Sequence, residues 1–123
     1  MLIAYWIVAG LLAAGYLFFG GTKVLQSKEK LAEGGMGWVE NAPAWAVKIV
    51  GLLEIAGAIG LILPPLTGIA PVLAPIAAIG LVLVQVGAMI LHATRGEWKA
   101  LPMNAVLLVV AAVVAWLGFA VWA

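Results

Sequence analysis

Six polar side chains lie in or beside long apolar stretches where water is scarce. Glu54 is the one charge in Gly51-Leu52-Leu53-Glu54-Ile55-Ala56-Gly57-Ala58. Tyr16, Lys23, Gln85, His92 and Asn104 complete the set. A carboxyl group inside an apolar helix is costly, so it faces other helices or a polar cavity, and it marks a ligand or proton site by default. Lys23 can pair with it, and Tyr16 or Gln85 can hydrogen-bond to it. The available chemistry is proton binding, recognition of a polar head, or an ion pair that only holds structure. Other chemistries lack their parts. The chain has no cysteine, no aspartate, one histidine, and Ser27 as its one serine. A Ser–His–Asp triad, a thiolate or multi-histidine metal site and dithiol redox chemistry are excluded. No catalytic residue and no metal ligand is expected, and the glycine-rich stretches match no phosphate loop.

The elements that must position these groups follow from composition. Of 123 residues, 67% are hydrophobic and 9% are charged, with a mean hydropathy of +1.24. Soluble domains are about 45–50% apolar and about 25% charged. A water-soluble fold and a disordered chain are both excluded. About 20 apolar residues cross a bilayer core. Residues 2–22 form the first expected span. The uncharged stretch 55–91 is too long for one crossing, and Pro64-Pro65 with Gly68 is expected to break it. The second and third spans are then 44–63 and 71–92, with Pro75 able to delay or kink the third. The fourth is 101–123, with Pro102 at a tolerated early position. Alternating hydrophobicity is absent, which disfavours a β-barrel. The expected fold is all-α: a single membrane domain over 1–123, built as a four-helix transmembrane bundle. No Lys or Arg precedes Lys23, and the first apolar run is too long for a signal peptide, so that run is expected to stay as a span.

Charge orients the bundle. Net charge is +1 and no basic tract exists, so a nucleic-acid partner is not expected. Lys23, Lys28, Lys30, Lys48, Arg95 and Lys99 all fall on or beside connections 23–43 and 93–100. Those connections share one side, which the bias of basic residues makes cytoplasmic, and both termini then face outward. Met36-Gly37-Trp38-Val39 is apolar enough to lie on the membrane surface. Trp38, Trp45 and Trp98 on the charged side, and Tyr5, Trp6 and Trp122 on the other, read as interfacial belts.

Spacing then gathers the polar residues. Val47, Gly51, Gly57, Ala58 and Leu61 share the face of Glu54, while Ile49, Leu52, Ile59 and Leu63 lie opposite. Small residues face partner helices and large aliphatics face lipid, so Glu54 points into the bundle. It sits roughly 15 Å along its span, at about 1.5 Å per residue. Tyr16 lies on the face of Lys23, and Gln85 on that of His92. Asn104 begins a small-residue line through Ala111, Ala115 and Gly118. Antiparallel hairpins put Lys23, His92 and Asn104 at the charged end, with Tyr16, Glu54 and Gln85 deeper. These six residues form the expected ligand-binding pocket, suited to a neutral or cationic amphipathic molecule. Arg95 and Lys99 read as topology determinants, and Glu97 as solvated.

The residues also resemble a known family. Phe19-Gly20-Gly21-Thr22-Lys23, the Gly51–Ala58 segment, Gly60-Leu61-Ile62-Leu63-Pro64, Gly87-Ala88-Met89-Ile90-Leu91-His92, Arg95-Gly96-Glu97 and Asn104 together resemble the DoxX-like family of small four-helix membrane proteins. The resemblance implies a four-helix bundle in a bacterial or archaeal cytoplasmic membrane. It also implies an association, in some relatives, with quinone-linked oxidoreductase complexes or oxidative stress, and in distant ones with protein export or assembly. Lys23, Glu54, His92 and Asn104 match its recurrent polar positions, and no catalytic mechanism transfers with them. The expected function is an accessory membrane subunit that binds a quinone, a lipid or a similar molecule and serves a redox partner. Membrane lipids, a redox-complex or membrane-protein partner and a second copy of the chain are the expected partners. Two rival readings differ in class. One is a proton-coupled transporter similar to the small multidrug resistance proteins, although those carry their key carboxylate in the first span. The other is a membrane-protein assembly factor.

Overall fold

The computed structural model describes residues 1–27, 30 and 44–122. Four long helices account for nearly all of them: α1 (Leu2–Leu25), α2 (Ala44–Thr67), α3 (Leu73–Thr94) and α4 (Leu101–Trp122). A 3-10 turn, Trp98–Ala100, leads into α4. At 22 to 24 residues each, all four are long and apolar enough to span a membrane. No strand occurs among the described residues. Helix α1 packs on α2 and α4, and α3 packs on α2 and α4, so the helices close into an up-down-up-down ring.

The packing follows residue size. Val47, Gly51, Glu54, Ala58 and Leu61 of α2 are buried, whereas Ile49, Leu52, Ile59 and Leu63 are exposed. On α1 the buried line runs Tyr5, Ala9, Leu12, Tyr16, Gly20, Lys23. Alanines fill much of the interior, and leucines, isoleucines and phenylalanines cover the outside. Lipid rewards no sequestration of apolar surface, so close backbone approach replaces the hydrophobic effect as the source of cohesion.

Two sequence expectations change here. Pro64-Pro65 does not end the second span, because α2 continues to Thr67. A proline at position 65 cannot donate an N–H to the Leu61 carbonyl. The Tyr5 hydroxyl donates to that carbonyl instead, at 2.6 Å, and Thr67 Oγ1 donates to Leu63 O at 3.0 Å. One of the two carbonyls that the prolines leave without a helical donor, Leu61 O, thus finds a partner in a neighbouring helix. The reversal comes after it, at Gly68 (φ +74) and Ala70 (φ 46). Tyr5 also leaves the belt assigned to it. It is fully buried, and its ring meets Trp6 and Trp122 edge-to-face, each with centroids 5.6 Å apart.

The third and first spans also end later than expected. Pro75 is buried in the first turn of α3, where its missing N–H costs no helical bond and Pro71 O accepts from Ala74 N at 3.0 Å. The far end of α3 closes in a Schellman motif: Glu97 N donates to His92 O at 2.8 Å and Gly96 N to Ala93 O at 3.1 Å. Gly96 takes the left-handed conformation, φ +70, which that motif requires. At the end of α1, Lys48 Nζ of α2 donates to Val24 O at 2.7 Å. The surface-lying segment around Trp38, most of connection 23–43, and Ala123 fall outside the described residues.

Candidate functional site

Two glycines set the site. Gly20 and Gly51 put the backbones of α1 and α2 in direct contact. A Cβ on Gly20 would lie 2.6 Å from Gly51 O, and one on Gly51 would lie 2.8 Å from Gly20 O. Three residues further along each helix stand Lys23 and Glu54. The close crossing therefore brings them together, and Lys23 Nζ lies 2.5 Å from Glu54 Oε1. Both are buried, Glu54 at 3% exposure and Lys23 at 9%. Removing two charges from water is expensive, and only close, hydrogen-bonded geometry offsets it. Lys23 thus turns inward to the carboxylate instead of snorkelling to headgroups.

Next to the pair, α3 carries Gln85, whose Nε2 donates to the Tyr16 hydroxyl at 2.6 Å. Gln85 Oε1 and Asn104 Nδ2 are buried with no hydrogen-bond partner among the described residues. Each such group costs about 1–3 kcal/mol. Both residues border a cavity of about 530 Å³ between the α1–α2 pair and the α3–α4 pair. Lys23, Glu54, Gln85, His92 and Asn104 lie on its wall, and the rest is mainly apolar, including Phe19, Val50 and Leu107. Tyr16 is the exception among the six expected residues. It stands behind the wall and holds Gln85.

Beside His92 on the cavity wall, the Schellman turn folds Glu97 back toward that imidazole. His92 Nδ1 donates to Glu97 Oε1 at 3.1 Å, and Arg95 Nε donates to the same oxygen at 2.9 Å. The His92 hydrogen bond, followed by that of Arg95, holds the Glu97 carboxyl below its ordinary value of 4.5. Glu97 is thus not simply solvated, and Arg95 does more than mark topology. The signal for the cluster was Gly96, which lets the chain reverse directly after α3.

Chemically, this cavity can hold and orient a molecule. No group of three or more His, Cys, Asp or Glu side chains able to hold a metal occurs among the described residues. Its polar wall supplies an internally neutralised ion pair, two amides and an imidazole, opposite aliphatic side chains.

A bundle of four helices, each long and apolar enough to span a membrane, matches the fold that the sequence resemblance implied. The sequence model of the DoxX-like family matches residues 7–114. The chain belongs to the DoxX-like family. The match runs from the second turn of α1 through most of α4, so it takes in every polar residue of the cavity wall. No curated protein and no solved structure matches this DoxX-like chain significantly.

Proposed function

We propose that this DoxX-like protein is a non-catalytic membrane subunit that binds a neutral amphipathic molecule, of quinone or lipid type, in the cavity beside Glu54. One observation carries the reading: two buried amides with unsatisfied atoms border a cavity otherwise lined mainly by apolar side chains. Ligand sites combine apolar walls with a few convergent polar groups in this way. The Lys23–Glu54 pair cancels its own charge, which removes the attraction a cationic ligand needs. A quinone's carbonyl oxygens can accept from an amide, and its ring fits the aliphatic wall. The chain offers no electron-carrying group of its own, so any redox step belongs to a partner complex. The Lys23, Lys48, Arg95 and Lys99 end faces the cytoplasm in this proposal. Proton-coupled transport requires Glu54 to exchange Lys23 for another partner, and pH-driven flux in liposomes tests for it.

Titration of a short-tailed benzoquinone into protein in lipid nanodiscs tests the reading. Wild type should bind saturably, and Asn104→Leu should weaken binding roughly tenfold, the worth of one good hydrogen bond. Equal binding to both proteins contradicts it.

A further inference from the structure

A second hollow lies between α2 and α3, with a volume of about 480 Å³. It shares Leu53, Leu83 and Val84 with the polar cavity, so the two spaces adjoin. Its remaining wall is small and wholly apolar, including Ala56, Ala77 and Gly80. It exists because of how the two helices meet. Gly57 lets α2 sit against Leu81, where a Cβ would come within 2.6 Å, and a Cβ on Gly60 would lie 2.8 Å from Ala77. Beside these contacts Gly80 has no side chain, and a Cβ there would have nothing within 4 Å. The hollow is thus an open crevice on the helix face, and its rim residues Leu53 and Leu83 are 53% and 65% exposed. In a membrane that face meets lipid.

Resting on the reading of the cavity as a ligand site, we infer that its ligand is a single-chain amphiphile with a neutral, hydroxyl-bearing head, and that its hydrocarbon tail occupies the α2–α3 crevice. The head follows from the unsatisfied atoms. Gln85 Oε1 lacks a donor and Asn104 Nδ2 lacks an acceptor. A hydroxyl both donates and accepts, so a hydroxylated head matches in kind the donor that one atom lacks and the acceptor that the other lacks. A carboxylate answers only Asn104, and its charge finds no free cation among the described residues of the cavity wall, because Lys23 is bound to Glu54 and His92 to Glu97. The tail follows from continuity. The crevice starts at the cavity wall, carries no polar side chain and opens toward acyl chains. A ligand seated this way enters sideways from the bilayer between α2 and α3, without passing the His92–Glu97–Arg95 cluster.

Three probes separate these points: 1-monododecanoylglycerol, 1-monobutanoylglycerol and dodecanoate at alkaline pH. Each is added to the full chain in lipid nanodiscs and read by native mass spectrometry. The test variant is Gly80→Leu, placed on the crevice wall where an added Cβ meets nothing within 4 Å. Ala56→Leu, on the opposite wall, provides a second variant. Both variants should weaken the long ester roughly tenfold while leaving the short ester unchanged. Dodecanoate should bind wild type more weakly than its glycerol ester. If neither variant changes binding of the long ester, or both weaken the two esters equally, the tail route is overturned and the cavity reading stands. If dodecanoate binds as well as the ester, the neutral hydroxylated head is overturned. If wild type binds neither ester, the cavity reading itself fails.

Discussion

At the scale of single residues, the buried pair is a constraint more than a source of stability. Lys23 and Glu54 each cost solvation energy and regain it only from the other. Glu54→Gln leaves an uncompensated ammonium group in an apolar surround, and should destabilise the bundle by about 3–5 kcal/mol. Lys23→Met combined with Glu54→Gln removes both charges and should recover most of that loss. Denaturant unfolding of the two variants in one detergent checks this, and a double variant as unstable as the single one contradicts it. Glu97 differs because it lies between two spans and is only partly buried. Its folded carboxyl titrates below the ordinary value of 4.5, so the stability it adds is fully present above that value. The contribution is lost as pH falls through the lower, folded value. The difference in thermal midpoint between wild type and Glu97→Gln should therefore shrink as pH falls below the ordinary carboxyl value. A difference that does not shrink there contradicts the assignment.

At the scale of helices, position along the interface decides what each glycine and proline does. Gly20→Ala forces a methyl group into Gly51 O, parts α1 from α2 and strains the Lys23–Glu54 contact. Overpacking of this kind costs about 1–3 kcal/mol. Gly15→Ala meets nothing within 4 Å and should be neutral or gain a few tenths of a kcal/mol from helix propensity alone. Thermal unfolding of the pair separates contact from propensity. Tyr5→Phe frees the Leu61 carbonyl and should cost about 1–3 kcal/mol. Pro65→Ala restores an N–H to that carbonyl, so Tyr5→Phe should cost much less in that background; an unchanged cost contradicts the pairing. The same contacts explain what sequence could and could not reveal. The four spans and the inward face of Glu54 were legible because burial repeats with helical period, as Gly51, Glu54, Ala58 and Leu61 do. The run of α2 through Pro64-Pro65 was not, because it depends on a tyrosine fifty-six residues away. The burial of Tyr5 was hidden for the same reason: an aromatic near a span end reads as interfacial until a partner for its hydroxyl is known. Lys23 was one of several groups able to meet Glu54, and only the Gly20–Gly51 crossing selects it. Tyr16 was grouped correctly with Gln85, but its place behind the cavity wall depends on how α1 and α3 pack.

At the scale of the whole molecule, the bundle is tight at the Tyr5–Trp122 end and hollow toward the basic end. Edge-to-face aromatic contacts and the Gly118–Pro75 approach, where a Cβ would lie 3.0 Å from the proline, close the first. The cavity between the two helix pairs opens the second. If the basic end is cytoplasmic, a cysteine placed at Ser27 should resist an impermeant thiol reagent in intact cells, while one added after Ala123 should react. Labelling of Ser27→Cys alone reverses the orientation. The central claim is that the cavity is a binding site and not only a packing defect. Native mass spectrometry of the full chain released from its own membrane tests it most directly, with Asn104→Leu and the lipid-facing control Ile7→Ala examined in parallel. Wild type and Ile7→Ala should carry a bound neutral amphiphile that Asn104→Leu loses. The same bound mass on all three proteins, or none on any, would contradict the claim.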